Sequence, residues 1–207
     1  MGDRHMEGSR PDGLRDRKKR ATRRALQSSA VDLFRRHGPE AVTVESICAA
    51  AGVSPRTFFN YFASKDEAAF MLEEGTPELI EERITARPAE ETPLEAVRAV
   101  FVARLSELAT GKIWLDRMLL LRERPELLPR ILLTNRTVED AVTRAVATRT
   151  GLPEHHLYVR TTGATVFAAL QAAISCWQPD SGPEVVTLVT EAVEMLSRGL
   201  PTPPRNS

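Results

Sequence analysis

Residues 54–61 run Ser-Pro-Arg-Thr-Phe-Phe-Asn-Tyr. The chemistry open to these side chains is hydrogen bonding and stacking. An arginine fork can engage both acceptors on the major-groove edge of guanine, a contact worth about 1–3 kcal/mol of discrimination, and an asparagine amide suits adenine. Arg56 and Asn60 are therefore candidates for reading bases. For Arg56 the alternative is a phosphate contact. Phe59 suits packing on a thymine methyl, or a half-buried place of its own. These roles require that Arg56, Thr57, Phe59, Asn60 and Tyr61 share the outer surface of one short, firmly held helix.

The flanking residues supply such a helix. Thr43 is a good N-cap, and Glu45 lies in the first turn, where the helix dipole favours negative charge. Val44, Ile47, Cys48 and Ala51 follow at i, i+3, i+4 and i+7, which makes one apolar stripe. Gly52 stands where that helix must end in a left-handed residue. Val53 is placed to fill the gap between two helices. Ser54 caps the second helix, and Pro55 takes its first position, where the missing N–H does no harm. Phe58 and Phe62 are four apart and face the core. Ser64-Lys-Asp-Glu67 reads as a capping box that starts a further helix. Two short helices joined by a tight turn make a helix-turn-helix, which places its second helix in the DNA major groove.

The string from Thr43 to Lys65 resembles the signature of the TetR family of transcriptional repressors, Thr-Val-x-x-Ile-Ala-x-x-Ala-Gly-Val-Ser-x-Gly-Thr-Leu-Tyr-x-Tyr-Phe-x-Ser-Lys. Upstream, Arg23-Arg24-Ala25-Leu26, Ala30, Leu33-Phe34 and Gly38 match the family's first helix. The resemblance covers about residues 22–67. This chain departs from the signature with Arg56 for Gly, Phe58 for Leu and Phe59 for Tyr. The resemblance implies phosphate contacts from Thr43, Tyr61 and Lys65 and from the backbone at Ser54 and Pro55. It leaves Arg56, Thr57, Phe59 and Asn60 facing the groove.

The 207 residues carry 28 Lys or Arg and 28 Asp or Glu. The balance is uneven along the chain. Residues 1–65 hold 13 basic and 7 acidic residues, and the remainder holds 15 and 21. A basic head on an acidic body suits a nucleic-acid-binding module beside a module of another kind. Residues 1–14 read as a disordered arm. The basic run Arg15 to Arg20, with Arg23 and Arg24, reads as an arm that meets phosphates or the minor groove, or else as a frayed helix start. Cys48 and Cys176 lie far apart in apolar helical patterns and read as buried thiols in a reducing compartment. No apolar run is long enough to span a membrane, no secretory signal is visible, and a cytoplasmic location is expected.

The fold class expected is all-α, with about nine helices: 14–37, 44–51, 55–62, 65–86 (broken near 75), 93–109, 112–123, 125–150, 154–178 and 183–199. Residues 15–64 form the DNA-binding domain, residues 65–200 a ligand-binding and dimerisation domain, and residues 201–207 a disordered tail. Thr92-Pro-Leu-Glu95 is a second capping box. In the last two helices Val166, Leu170, Ile174, Trp177, Val185, Val189, Val193 and Leu196 are apolar over so much of the surface that burial on more than one side is required. Ala164, Ala168, Ala172 and Ala173 leave a smooth flank for a neighbouring helix. The stripe is either intrachain core or, as the family resemblance implies, a four-helix homodimer interface that sets two reading heads one or more DNA turns apart.

The central helices supply residues for an apolar pocket: Phe70, Met71, Val97, Phe101, Leu105, Trp114, Met118, Leu121 and Phe167, with Arg122 beside them. Trp114 to Leu127 resembles the TetR subgroup that includes regulators of mycofactocin genes, which bind acyl-coenzyme A. That resemblance implies a fatty chain with an anionic head, for which Arg117, Arg122 and Arg136 are possible anchors; plain surface duty is their alternative. The chain has no Gly-rich phosphate loop, no Gly-x-Ser-x-Gly and no His-Glu-x-x-His, so no enzyme activity is expected. His155 and His156 are adjacent and make a poor metal pair, and neither metal nor cofactor is expected. The expected partners are an operator in double-stranded DNA, a second copy of the chain and a small apolar or acyl-coenzyme A-like effector. The rival reading is a DNA-binding regulator with no small-molecule effector, switched by a protein partner.

Overall fold

The computed structural model describes residues 13–202. The arm before residue 13 and the end of the tail lie outside the described residues. The regular structure of the described residues is all helical, with no strand among them. The chain divides into two compact units between Ala69 and Phe70, later than the division after Ser64 read from the capping box.

The first unit comprises α1 (Leu14–His37), α2 (Val44–Ala51), α3 (Pro55–Phe59) and most of α4 (Lys65–Phe70). The basic run belongs to the opening turns of α1 and is not an extended arm. Arg35, Arg36 and His37 in the last turn of α1 oppose the negative end of its dipole. Leu26, Ala30, Val31 and Phe34 from α1 are buried, as are Ile47 and Cys48 from α2 and Phe58 and Phe62 from the α3 region. Burial raises the Cys48 thiol above its ordinary value, and Glu45 raises it further, so the thiol stays protonated and inert. Cys176 corrects the expectation of two buried thiols, because it is exposed at the end of its helix.

The second unit holds α5 (Thr76–Thr85), α6 (Pro93–Ala109), α7 (Lys112–Glu123), α8 (Leu128–Thr134), α9 (Arg136–Thr150), α10 (Leu157–Cys176) and α11 (Val185–Ser197). Helix α5 packs along α9, α10 along both α9 and α11, and α6 against α10 and α11. Ile80, Ile84, Val97, Phe101, Val142, Val146, Val159 and Val166 meet in one core. The Thr92–Glu95 capping box forms as read, with each side chain accepting from the other's backbone N–H. Arg149 holds the α5–α6 connection: its guanidinium donates to the carbonyls of Arg87 (2.8 Å), Pro88 (2.7 Å) and Glu91 (2.9 Å).

Among the described residues eleven α-helices form where about nine were expected: 65–86 is two helices, with the break expected near 75, and 125–150 is divided. The 65–86 segment divides at Gly75, whose φ of 80° only glycine adopts without strain. The 125–150 segment divides twice. Pro125–Leu127 is a 3-10 turn, and Asn135, at φ −109° and ψ 24°, separates α8 from α9. The Ser64–Glu67 box also differs from its reading. Ser64 Oγ accepts from the Glu67 amide, but the Glu67 carboxylate reaches back to the amide of Ala63 (2.7 Å).

Candidate nucleic-acid interface and apolar cavity

The α2–α3 turn is fixed by its own polar groups. Thr43 Oγ1 accepts from the Ser46 amide (3.2 Å), and Ser46 Oγ accepts from the Thr43 amide (3.1 Å). Gly52 turns left-handed at φ 67° and ψ 35°, and the Val53 amide closes on the Cys48 carbonyl (3.0 Å). Ser54 Oγ accepts from the Thr57 amide (3.1 Å) and bonds the Thr57 hydroxyl (2.9 Å). Pro55 follows at the first helical position. Helix α3 is shorter than read, ending at Phe59. The Tyr61 and Phe62 amides still close on the Phe58 carbonyl, so Phe62 comes round into the core.

On this support Arg56, Phe59 and Asn60 are exposed. Phe59 is 59% exposed, with its ring edge-on to buried Phe58 (5.4 Å between centroids), so the half-buried alternative does not hold. Thr57 is half-buried and has its hydroxyl on the Ser54 cap. Tyr61 is half-buried at the edge of this face.

Two residues assigned to phosphates also have structural work. The Lys65 ammonium donates to the carbonyls of Pro39 (2.7 Å) and Val42 (2.8 Å), which leaves one N–H for an anion. Arg23 lies over the Phe62 ring at 4.6 Å and donates to the Tyr61 carbonyl (3.4 Å). Both tie together the loops that carry α2 and α3.

The second unit holds a partly open cavity of about 130 Å³. Phe70, Phe101, Leu105, Trp114, Met118, Leu121 and Phe167 line it, as the sequence suggested. Phe101 and Phe167 meet edge to face at 5.8 Å. Leu128, Ile131 and Leu132 of α8 form one wall. The lining has no carboxylate; its polar members are Thr76, Arg104, Arg117 and Asn135. Three expected pocket residues are elsewhere. Val97 is fully buried in the helical core, Arg122 is exposed, and Met71 is not among the lining residues, though its carbonyl accepts from Arg117 (3.2 Å). Of the possible anchors, Arg117 lines the cavity and Arg136 does not.

Sequence reasoning missed Arg104 and Asn135. Arg104 pairs with Glu107 (3.0 Å), and with Arg83 it holds that carboxyl below the usual carboxylate range. Asn135 is a clasp. Its amide N–H₂ donates to the carbonyls of Phe70 (3.0 Å) and Ile131 (3.1 Å), and its Oδ1 accepts from the Leu72 amide (3.2 Å). An asparagine inside an apolar helical pattern is the one signal available, since such side chains compete for backbone groups.

Of the two readings of the α10–α11 stripe, intrachain core fits most of it. Val166, Ile174, Trp177, Val185, Val189 and Val193, read as a dimer face, are buried within the single chain. Leu170 and Ile174 line the cavity instead, and Leu196 is half-buried. Periodicity finds an apolar face without saying what covers it, and here α6, α9 and the cavity do. What α10 turns outward is Ala164, Ala168 and Ala172; Ala173 is buried.

A capped reading helix with bare polar and aromatic side chains, followed by a helical unit around a cavity, defines the class of a helix-turn-helix DNA-binding regulator. Residues 26–68 match the model of the bacterial regulatory proteins of the tetR family, and residues 91–201 match that of the MftR C-terminal domain. The chain belongs to the TetR family of transcriptional regulators. It is similar to the HTH-type transcriptional regulator TcmR of Streptomyces glaucescens, at 37% identity over 147 residues. That match covers 68% of this chain and 65% of TcmR, so it spans just under two thirds of the relative. Among solved structures, Thermus thermophilus FadR, a TetR family repressor in complex with lauroyl-CoA, shares the fold at a TM-score of 0.51 and 21% identity, with 89% of this chain and 98% of that one covered. The fatty acid degradation regulator FadR from Bacillus halodurans does so at 0.55 and 21% identity, over 86% and 96%.

Proposed function

We propose that the chain is a homodimeric repressor. It binds a pseudo-palindromic operator through α3 and is released by a small apolar or acyl-coenzyme A-like ligand held in the second unit. The cavity carries this reading. A regulator switched only by a protein partner has no use for an unfilled apolar space, which forfeits packing energy. About 150 Å³ of apolar cavity is enough to take up benzene, so this one suits a compact apolar body as it stands. A longer chain needs it to widen. Arg104, though paired with Glu107, and Arg117 bring N–H donors to the lining, which suits a hydrogen-bond acceptor on the ligand.

In DNA binding, Arg56 and Asn60 read base edges, and Phe59 packs on a thymine methyl. Thr43, Tyr61 and the α3 N-terminus hold phosphates, joined by the basic first turns of α1. The two-fold partner packs on the outer flank of α10 and α11, where alanines allow close approach. Ligand and DNA then oppose each other by linkage: each weakens the other by the same factor if they favour different arrangements of the dimer. Native mass spectrometry of the purified protein tests the cavity's role. A dimer carrying, or taking up, one apolar molecule per chain supports it; a chain that takes up no acyl compound contradicts it.

A further inference from the structure

Helix α8 is unlike every other helix among the described residues. Leu128, Ile131, Leu132 and Leu133 make it strongly apolar, yet none of its seven residues is buried. Leu133 is 74% exposed and Leu132 40%. On its inner side Leu128, Ile131 and Leu132 are a wall of the cavity. Its main packing partners are the segments on either side of it in the chain, the Pro125–Leu127 turn and α9.

Both ends are pinned. Before α8, Leu127 is buried at 1% exposure in its 3-10 turn. After it, Asn135 is clasped to the Phe70 and Leu72 backbone. Backbone breaks at Arg124 (φ −139°, ψ 73°) and at Asn135 bound the segment. A helix without buried side chains has little to hold it closed, and such segments open locally at low cost. A guest in the cavity would supply the apolar contacts that the lining leucines lack across the void.

We propose that α8 is the gate of the cavity. It swings between its anchors at Leu127 and Asn135 to admit an apolar ligand, and the exposed Leu132 and Leu133 mark the outer lip. This rests on the reading that the cavity binds a small molecule. The other helices that line the void, α5, α6, α7, α9 and α10, pack on one another, so α8, the wall freest to move, sets the rate of uptake and release.

The test is stopped-flow uptake of dansyl-labelled undecanoic acid by the full chain, read by energy transfer from Trp114 and Trp177. A gate makes the observed rate level off with rising probe, at the opening rate of α8. Leu132→Ala raises the plateau and the release rate together, each by about fivefold, as a loss of about 1 kcal/mol of closing energy requires. Leu133→Ala, a change on the outer side, leaves both within about twofold. Release alone speeding up in Leu132→Ala would make α8 a fixed wall and overturn the gate. No uptake of this probe or of a compact apolar one such as benzene by the unaltered chain would instead overturn the ligand reading, and the gate with it. Hydrogen exchange on the free protein gives an independent readout: amides 130–134 exchange faster than those of 140–146, and equal protection overturns the proposal.

Discussion

Two short helices of this molecule, α3 and α8, have opposite constructions. Helix α3 has five residues and is held at every point: Ser54 caps it, Pro55 fixes its first φ, and Phe58 is wholly buried beneath it. Helix α8 has seven residues, no side-chain cap and no buried residue. A surface that reads base edges must keep its donors in register, and α3 is built so that only the outer side chains are free. A wall that passes a guest must yield, and α8 is built with its anchors beyond its ends. Rigidity and looseness in this chain follow from where the buried side chains lie, since helix length hardly differs.

The largest break in the comparison is at Phe58. Phe58→Ala removes the anchor under α3 and should cost about 3–5 kcal/mol of stability, measured by denaturant unfolding. A loss below about 1 kcal/mol would mean that α3 is held by its caps alone. Next is Arg56→Ala, expected to lower cognate DNA binding by about 1–3 kcal/mol while leaving nonspecific binding nearly intact. An equal fall in both would make Arg56 a phosphate clamp. Asn135→Leu strips the anchor at the end of α8 and removes its bonds to the Phe70 and Leu72 backbone, at about 1–3 kcal/mol. It should also quicken hydrogen exchange across 128–134; unchanged exchange there would show the clasp to be unrelated to α8.

The smallest effect concerns a capped helix that serves as a further contrast to α8. The Thr92 hydroxyl and amide hold the Glu95 carboxyl below its ordinary range. A carboxylate depressed in the folded state stabilises above the usual value of about 4.3 and loses that contribution as pH falls through its folded value. Melting temperature should therefore fall on acidification, and Glu95→Gln should flatten part of that fall. An identical pH profile in the variant would show that the cap's charge is irrelevant.

The first unit was legible because its signals are local. Thr43, Gly52, Ser54 and Pro55 each act within three or four residues, and the α2 boundaries agree with the sequence reading. Lys65 was not legible in the same way, since its bonds to Pro39 and Val42 span more than twenty residues. The second unit shows the same limit. Its pattern is helical and apolar, but the break at Asn135 depends on backbone groups some 63–65 residues away. The cavity residues were found where they are aromatic or bulky, as with Phe101, Trp114 and Phe167. Leu170 and Ile174 went to the wrong surface because an apolar stripe does not name its neighbour. Arg117 lines the cavity and Arg122 is exposed for the same reason: the two look alike in sequence.

The central claim is that a ligand in the cavity governs DNA binding by α3. The most direct test is fluorescence anisotropy on labelled DNA from beside the protein's own gene, with lauroyl-coenzyme A titrated in while its occupancy of the cavity is followed in parallel. The account predicts tight, sequence-selective binding that the acyl compound reverses as the cavity fills. A filled cavity with DNA affinity unchanged would contradict it.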